Sequence, residues 1–553
     1  MSRASTFSRF ATEEFDFLII GGGINGAGIA RDAALRGLKV ALVEKDDFAS
    51  GTSSKSSKLV HGGLRYLEHA QFRLVFEGTN ERALLMRVAP HLVRPIEFLV
   101  PCYKRDKPGL FVLDVGLWIY DALSKFSSPK LHRTVRAGRV AKLEPSLRTE
   151  QLEGGILYYD AATDDARMTV ENIVDAESLG AACCNHTRAV SLIEEGDAIV
   201  GAMVQDTTDP AAQPIRIRSK VVINATGPWC DQIRAMVKDK PILHTSKGVH
   251  LVIDSARLPV RHAVVMKEGK RVVFCIPWGD RSVLGTTDTF FGGSPDEVYA
   301  DKADADYLLG IGNRYFPDAK LTYDDVLATW AGLRPLLRPE REVASASDVS
   351  REHHLASRPG LVTIAGGKLT TFRRMSAEVV DAAGAQLPGG AKALAPSTTA
   401  DRPMPGSASP IYEEGYAGVQ RLAAELATQL AELGVGDAAV AKHLAHTYGA
   451  RAPSLVAIIR ANPKLAQRLD AELPYILAQV DFSIDAEQAV RLEDVLGRRV
   501  PLILRARDQG LAAVELVASR MAEKLSWSDD HRAAEMAHYR AIVATTRQFR
   551  TAE

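Results

Sequence analysis

The sequence has few cysteines, no excess of either charge and no long apolar run. Its five cysteines lack the spacing of metal ligands or of a disulfide framework, so we expect a reducing compartment and no metal site. Lysine plus arginine and aspartate plus glutamate are equal at 68 each, which argues against a nucleic-acid binder. No run reaches the roughly 18 to 20 apolar residues that span a bilayer, and no signal peptide is recognisable. We expect a protein that is neither exported nor integral to a membrane.

Residues 15–44 predict one strand, helix and strand unit. The apolar stretch from Phe15 to Ile20 precedes an alanine-rich segment of helical spacing that ends at Leu35, and a second apolar stretch ends at Val43. Cys183 and Cys184 are best explained as part of another buried strand. The chain therefore begins with the βαβ pattern of an α/β domain.

The pattern changes twice along the 553 residues, a length that exceeds one ordinary core. The runs at 250–255, 271–279 and 281–288 are rich in β-forming residues and separated by turns, which favours an antiparallel sheet. Residues 395–410 are dense in proline, serine and threonine and predict a linker. Beyond it, Leu422, Leu426, Leu430 and Leu433 recur at helical spacing in a tail with few strand signals.

Gly21, Gly23 and Gly26 form a G-x-G-x-x-G motif between the first strand and the helix, and Glu44 ends the second strand. The glycines permit a tight turn and a close approach of a pyrophosphate to the backbone, while the acid can accept from ribose hydroxyls. A dinucleotide site is predicted, with NAD and FAD both possible on these residues. The apolar strands that run into small-residue turns at 221–229 and 361–374 are compatible with an extended ligand.

Several motifs together resemble the FAD-dependent sn-glycerol-3-phosphate dehydrogenases of the aerobic respiratory type. They lie in order between about residues 15 and 376, and "RLEDVLGRR" (491–499) is similar to part of that family's helical C-terminal domain. The motifs are "GGGINGAGIARDAALRGLKVALVEKDDFASGTSSKSSKLVHGGLRYLEH" (21–69), "NATGPW" (224–229), "GTTD" (285–288), "GLRPL" (332–336) and "GGKLTTFR" (366–373). The resemblance implies a flavoprotein that oxidises glycerol 3-phosphate to dihydroxyacetone phosphate and passes electrons to a membrane quinone.

On this resemblance we expect a Rossmann-like α/β FAD-binding domain, an inserted antiparallel-sheet substrate domain and an all-helical C-terminal domain. The first two domains together are expected at 14–394. The FAD-binding parts are at about 14–90, 150–245 and 355–394, and the substrate-binding parts are at about 91–149 and 246–354. A linker is expected at 395–410 and the helical domain at 411–553. The resemblance leaves the oligomeric state open, with a homodimer as one assembly.

FAD is the expected cofactor, and its ligands are expected in four segments of the chain. Serine hydroxyls in "GTSSKSS", Ser56 included, can donate to its oxygens. The expected cofactor-binding residues are Gly21, Gly23, Asn25, Gly26, Glu44, Ser53, Ser54, Ser57, His61, Gly62, Ala225, Gly227, Gly367, Lys368, Leu369 and Thr370.

The substrate needs a cation for its phosphate and a group that takes the hydroxyl proton. Arg334 is the first candidate for the phosphate, because a guanidinium binds phosphate oxygens bidentately and the residue matches the family motif. His250 is the first candidate for the proton, and His61 is the alternative. Weaker candidates for substrate binding are Arg65, Tyr66, Arg351 and Lys368.

Two segments are candidates for contact with the cytoplasmic face of the membrane. Lys104, Arg105 and Lys107 precede the apolar run 110–123, which is typical of a segment in the headgroup region; a helix buried under the second domain would explain it equally well. The basic stretch 368–375 is the other candidate. An oxidase that uses O₂, a flavin-binding module without catalysis and an amino-acid oxidase are the alternative functions.

Overall fold

The structure, a computed structural model, describes residues 2–64, 67, 71–209, 211–269, 271–339 and 352–550. Two β-sheets and a helical C-terminal region account for most of these residues. The strands are β1 (Glu14–Ile20), β2 (Val40–Val43), β3 (Leu59–Val60), β4 (Arg94–Tyr103), β5 (Arg133–Arg136), β6 (Leu152–Ala162), β7 (Ala182–Cys184), β8 (Thr187–Glu195), β9 (Ala198–Asp206), β10 (Ile215–Asn224), β11 (Ser246–Asp254), β12 (Ala263–Glu268), β13 (Arg271–Trp278), β14 (Arg281–Gly285), β15 (Thr289–Phe290), β16 (Val326–Arg334), β17 (His353–Arg358) and β18 (Leu361–Gly366).

The helices lie on the sheets and in the tail. They are α1 (Arg3–Thr12), α2 (Ile24–Leu35), α3 (Phe72–Val88), α4 (Leu110–Leu123), α5 (Ala137–Leu143), α6 (Asp165–Ser178), α7 (Cys230–Met236), α8 (Lys302–Tyr315), α9 (Phe372–Gly384), α10 (Ile411–Glu414), α11 (Tyr416–Glu432), α12 (Ala438–Tyr448), α13 (Pro453–Ala461), α14 (Ala478–Glu487), α15 (Leu502–Arg505), α16 (Val514–Leu525) and α17 (Asp529–Thr546). Among the described residues, no helix combines the length and hydropathy needed to cross a bilayer.

The first sheet carries the predicted βαβ unit. Its strands follow the order β17-β18-β10-β1-β2-β7, and the five from β18 to β7 are parallel, whereas β17 is antiparallel to β18. Ile19 and Leu42 belong to a core cluster shared with α2 and α9, while Leu18 and Ala41 point to a second cluster on the other face. Both faces are covered, as a parallel sheet requires, and the Rossmann-like prediction is confirmed.

The second sheet is almost entirely antiparallel and follows the order β15-β11-β14-β13-β12-β4-β6-β3, with β16 on β11 and β5 on β6. The predicted strands at 250–255, 271–279 and 281–288 are β11, β13 and β14. The long strand β6 pairs with β4 in this sheet, whereas the expected boundary at residue 150 assigns it to the FAD-binding domain. Alternation within β6 does not reveal its partner, so the sequence could not place this strand in the second sheet. The domain boundaries themselves stay a prediction.

The tail from α10 to α17 forms a helical unit with its own core. Leu426 and Leu430 are fully buried in that core, and Leu422 and Leu433 pack against it at its edge. The linker before this unit is fixed to the first domain: Arg31 donates to the carbonyls of Arg402 and Pro403. Its proline- and serine-rich sequence breaks secondary structure but does not prevent packing.

Buried ion pairs join the helical unit to the first domain. Arg167 of α6 donates two hydrogen bonds to Glu487, at 2.6 and 2.8 Å. Arg499 binds Asp47, which follows β2, at 2.7 and 2.9 Å, and Arg498 binds the same carboxylate at 2.6 Å. Removing either partner of such a pair leaves a buried charge unpaired, so these contacts specify how the two units dock.

Candidate active site

The turn between β1 and α2 has no room for side chains. A Cβ on Gly26 would lie 1.8 Å from the carbonyl oxygen of Gly21, and one on Gly21, whose φ is +111°, would lie 2.6 Å from the carbonyl oxygen of Ala225. Gly23 precedes α2 without a side-chain cap. The first turn of the helix therefore offers backbone N–H groups and the positive end of its dipole to a phosphate.

Polar groups fix the two ends of this turn. The Glu44 carboxylate accepts from the backbone N–H of Gly22 at 2.7 Å and of Asp46 at 3.0 Å. Burial and the Asp46 carboxylate raise the pKa of Glu44. Ser53 Oγ accepts from the N–H of Ile24 at 2.8 Å, and the side-chain oxygen of Asn25 is buried with no hydrogen-bond partner within the described ranges. These residues fit the adenosine and pyrophosphate end of a dinucleotide.

One face of the β11–β16 ladder presents the residues predicted for the substrate. His250 is paired with Trp330 and Ser246 with Arg334, so alternation puts these positions on one face with Gly248 between them. A Cβ on Gly248 would lie 2.6 Å from the guanidinium of Arg334, which therefore lies over this glycine. His250 is two residues beyond Gly248 on the same strand, a distance of about 7 Å. The predicted anion-binding and proton-accepting groups face the same space.

His250 is buried and neutral. Its Nε2 lies 2.8 Å from Ser57 Oγ, and its ring stacks on Trp330 with centroids 4.8 Å apart. Burial, together with the positive charges of Arg334 and Lys58, lowers the pKa of His250 well below its usual value. A neutral imidazole has one ring nitrogen without a proton, and that nitrogen can accept one.

Hydrogen bonds of 3.2 Å to other described residues orient Arg334. Its Nη1 donates to Ser246 Oγ and to Asp288, and its Nη2 donates to Thr286 Oγ1 and to the Thr287 carbonyl. Its side chain is still 21% exposed, whereas Asp288 is nearly buried. The planar group is therefore held in a fixed direction at the edge of the space in front of His250.

The serine-rich segment crosses this face of the second sheet. Thr52 Oγ1 donates to the Leu333 carbonyl at 2.7 Å, and the Trp330 indole donates to the Ser56 carbonyl at 3.2 Å. Ser57 thus contacts His250, and the structure does not bring its hydroxyl to the β1–α2 turn. Ser54 Oγ donates to the Gly51 carbonyl, at 3.5 Å.

The two remaining segments predicted for the cofactor meet each other. The hydroxyl of Thr370 accepts from the N–H of His61 and donates to its carbonyl, both at 3.2 Å. The N–H of Gly62 donates to the Tyr120 hydroxyl of α4 at 3.1 Å. Lys368 and Leu369 follow Gly367, which has a φ of +89°, and Gly227 has a φ of +55° in the turn after β10. The predictions for Arg65, Tyr66 and Arg351 fall outside the described residues.

Sequence reasoning missed three residues of this site. Lys58 is paired with Asp165, the first residue of α6, at 2.6 Å, and Trp330 lies behind His250. Lys58 lies inside the quoted motif, but its buried partner is more than a hundred residues away, and no local pattern connects them. Trp330 could have been found from its place four residues before Arg334, on the same face of a strand.

The comparisons with known proteins agree with this geometry. A family model described as "FAD dependent oxidoreductase" matches residues 16–373, and one described as "C-terminal domain of alpha-glycerophosphate oxidase" matches residues 397–532. A glycerol-3-phosphate dehydrogenase of Mycobacterium leprae (strain TN) is 40% identical over 98% of this chain and 90% of its own length. The chain belongs to the FAD-dependent glycerol-3-phosphate dehydrogenase and oxidase family.

Two further relatives of this FAD enzyme show how far the similarity extends. An alpha-glycerophosphate oxidase of Streptococcus pyogenes serotype M18 (strain MGAS8232) is 34% identical over 98% of this chain and 97% of its own. The solved structure of a glycerol-3-phosphate dehydrogenase from Bacillus halodurans, complexed with FAD, is 32% identical with a TM-score of 0.81, covering 100% of this chain and 99% of that one. The resemblance and the expectation of FAD are confirmed.

Outside the flavin site of this FAD enzyme, one buried cluster among the described residues brings metal-ligating side chains together. Ligand atoms of Asp47, His186 and Asp494 lie within 4.8 Å of one another. Arg498 donates to both carboxylates, at 2.6 and 3.0 Å, and Arg499 also binds Asp47. The arginines already supply positive charge there, so the cluster is explained as the interdomain ion-pair network.

Proposed function

We propose that this enzyme oxidises sn-glycerol 3-phosphate to dihydroxyacetone phosphate and passes the electrons to a membrane quinone. One observation carries the proposal: an oriented guanidinium and a neutral, buried imidazole face the same space from one side of the β11–β16 ladder. A three-carbon phosphate ester can reach from one to the other. The printed names of the relatives at 40% and 34% identity support the same substrate.

Arg334 binds the phosphate in this proposal. Its Nη1 and Nη2 groups already donate to Ser246, Thr286 and the Thr287 carbonyl at 3.2 Å, so a phosphate would share or replace these long hydrogen bonds on a side chain whose direction is already fixed. The charge of Asp288 is shared between Arg334 and the hydroxyl of Ser246. Lys368, after the turn at Gly367, is the second cation proposed for substrate binding.

His250 takes the proton of the C2 hydroxyl. The Ser57 hydroxyl is both donor and acceptor, so it can orient the imidazole and pass a proton to Nε2 at 2.8 Å. Bound FAD supplies the hydride acceptor for the C2 hydrogen. We assign His61 to the wall of the flavin pocket, because its backbone N–H and carbonyl both bind Thr370.

The surface around α4 supports a membrane acceptor. Five apolar side chains on one stripe of this helix point to solvent, and Phe111 among them is 79% exposed. The stripe consists of Phe111, Val112, Val115, Trp118 and Ile119, and Phe72, Phe76 and Phe126 are also exposed nearby. Asp114, which interrupts the apolar sequence, is hydrogen-bonded by Thr134 of β5. An exposed stripe with interfacial aromatics suits the headgroup region of a bilayer.

Charge around this stripe supports the same partner. Lys104, Arg105 and Lys107 are exposed before α4, and Lys125 and Lys130 are exposed after it. Cations on both sides attract anionic lipid headgroups. The other candidate segment is less suitable, because Phe372 and Met375 of 368–375 are buried in the first domain.

The same helix touches the flavin segment from within. Tyr120, on the buried side of α4, accepts from the N–H of Gly62, so a single helix separates the exposed stripe from a residue proposed for the cofactor. A cleft lined by Leu74, His353, Gly367 and Lys368 opens between α3 and the turn at Gly367. This proximity supports electron transfer from the flavin to an acceptor dissolved in the bilayer.

The acceptor is tested by reoxidation. The FAD-loaded enzyme is bleached anaerobically with glycerol 3-phosphate and then mixed with a ubiquinone analogue in anionic vesicles or with air. We expect fast recovery of the flavin absorbance with the quinone and slow recovery in air. Fast recovery in air alone would make the enzyme an oxidase.

The membrane surface is tested with the Trp118→Glu and Phe111→Glu variants. A charge on the stripe should abolish flotation with anionic vesicles and slow the reduction of vesicle-bound quinone, while reduction of a water-soluble dye remains unchanged. Val190→Glu is the matched control, since Val190 is an exposed apolar residue of β8 in the first sheet. Unchanged flotation of both α4 variants would remove this surface from the proposal.

A further inference from the structure

The segment that orients His250 also carries a buried lysine to which the proposed reaction assigns no role. Lys58 is 8% exposed and follows Ser57 directly. Its Nζ donates to Asp165 Oδ1 at 2.6 Å and to the Ser54 carbonyl at 3.1 Å. A buried cation is costly unless it is paired, and the Asp165 carboxylate outweighs the effect of burial and raises the pKa of Lys58. The lysine is therefore charged.

Lys58 faces the aromatic rings behind His250. Its Nζ lies 5.5 Å from the ring centroid of Trp330 and 5.8 Å from that of Trp278. Trp330 in turn stacks on His250 at 4.8 Å. The ammonium group therefore acts on the imidazole across a packed, water-excluded layer, where charge interactions are weakly screened.

Asp165 fixes the whole segment through more than the lysine. Its Oδ2 accepts from the backbone N–H of Ser56 at 3.1 Å and from the Ser56 hydroxyl at 2.6 Å. The Ser56 carbonyl accepts from the indole of Trp330. Asp165 thus holds Lys58 directly and the Trp330 ring through Ser56. Ser57, which follows Ser56, contacts Nε2 of His250, so all of these groups share one arrangement.

We propose that Lys58, held by Asp165, is a positioning residue for His250: its ammonium group lies against Trp330 and keeps that ring stacked on the imidazole. The same cation is placed where it disfavours a second positive charge on His250. This inference rests on the proposed function, in which His250 accepts the proton.

Within the described residues, the charged and titratable groups that face this region come from several elements. Arg334 and Asp288 belong to the second sheet, Asp165 begins α6, and Asp164 precedes it. Arg505 of α15 lies over Trp278 at 5.2 Å and donates to Asp280 at 2.5 Å, and Tyr475 acts on Lys58.

The test is the pH dependence of the anaerobic bleaching rate with glycerol 3-phosphate. Lys58→Gln removes the charge while its amide can still donate to Asp165. Without the cation, the pH at which the rate falls on the acid side should move up by about 0.5 to 1 unit. Lys58→Arg should keep the wild-type profile. Lys58→Met is the second uncharged variant, in case the glutamine variant does not retain FAD.

The matched control is Lys247→Gln. Lys247 is equally buried and lies 2.6 Å from both Asp301 and Asp304, but it is on the opposite face of β11 from His250. It should leave the pH profile unchanged. An acid limb that stays in place in the uncharged Lys58 variants, or that moves equally in Lys247→Gln, overturns the inference. No bleaching of the wild-type enzyme would overturn the proposed function, and this inference with it.

Discussion

The nucleotide end and the substrate end of the proposed site differ in whether backbone groups or side chains form them. The nucleotide end is formed mainly by one stretch of chain that offers backbone N–H groups to a phosphate, and a Cβ on Gly26 would lie 1.8 Å from the Gly21 carbonyl oxygen. The substrate end is made of side chains from β11, β16, the serine-rich segment and the start of α6. Its charged groups influence one another, since Arg334 and Lys58 both lower the pKa of His250.

This difference predicts different kinds of failure. A defect at the nucleotide end is steric and removes the cofactor altogether. A defect at the substrate end leaves the cofactor bound and changes either the binding of the phosphate or the transfer of the proton. Substitutions that separate these outcomes test whether the two ends are independent.

The largest effect is expected from Gly26→Ala. The added methyl group would overlap the Gly21 carbonyl, so the turn cannot keep its shape and the protein should be isolated without FAD. The ratio of flavin to protein absorbance measures this. Gly138→Ala is the control, because a Cβ at this position of α5 meets nothing within 4 Å. A Gly26→Ala protein with full FAD content would contradict the steric account.

His250→Asn should retain FAD and slow its reduction. Loss of a general base lowers a rate by about 10²- to 10⁴-fold, and the affinity for substrate should change far less. Anaerobic stopped-flow absorbance measures the rate. His531→Asn, at an exposed position of α17, is the control. A rate equal to that of the wild type would transfer the role to His61 or to solvent.

The pH profile of the wild-type enzyme follows from the lowered pKa of His250. The base works only when it is neutral, and burial, Arg334 and Lys58 keep it neutral well below the usual value of about 6.5. The reduction rate should therefore stay level as the pH falls through the usual histidine value of about 6.5 and decline only at lower pH. An acid limb with its midpoint at 6.5 or above would show that His250 is not the group that titrates.

Arg334→Ala should raise the KM for glycerol 3-phosphate by about 100-fold with FAD retained, because it removes charge-assisted hydrogen bonds to the phosphate. Steady-state kinetics with a soluble dye measure KM. Arg314→Ala, which removes an exposed arginine of α8 on the same sheet, should leave KM unchanged. An unaltered KM in Arg334→Ala would remove this residue as the phosphate anchor.

The smallest effect on either end is expected from Glu487→Gln in the helical unit. Burial would raise the pKa of Glu487, but Arg167 and Arg451 reverse this and lower it to about 2. Its contribution to folding is therefore present above the unfolded value of about 4.3 and lost as the pH falls through about 2. At neutral pH the variant should lose about 3 kcal/mol of stability, measured by denaturant unfolding, with little change in KM or reduction rate. A large kinetic effect would couple the helical unit to the chemistry.

The nucleotide end could be predicted from the sequence because its information is local. Gly21, Gly26 and Glu44 lie within 24 residues, and the contact that requires glycine at position 26 is made with Gly21 itself. The βαβ unit and the strands at β11, β13 and β14 were predictable for the same reason. Hydrophobic periodicity identifies a strand without information on its neighbours.

The substrate end could be predicted only as a set of residues. The resemblance named His250 and Arg334, but their common face depends on the register of β11 against β16, which alternation alone does not fix. The contact between Ser57 and His250 joins residues 193 positions apart. The ion pair between Lys58 and Asp165 could not be predicted for the same reason. The exposure of the α4 stripe could not be predicted either, because the same apolar sequence would suit a buried helix.

The central claim is that the substrate end recognises a phosphate ester and accepts its hydroxyl proton. The measurement that tests it most directly is the anaerobic absorbance spectrum of the FAD-loaded enzyme after addition of sn-glycerol 3-phosphate, with glycerol at the same concentration as the comparison. We expect glycerol 3-phosphate to bleach the flavin band and glycerol to leave it intact, because only the ester engages Arg334. A flavin that glycerol 3-phosphate never bleaches, or that glycerol bleaches equally well, would contradict the account.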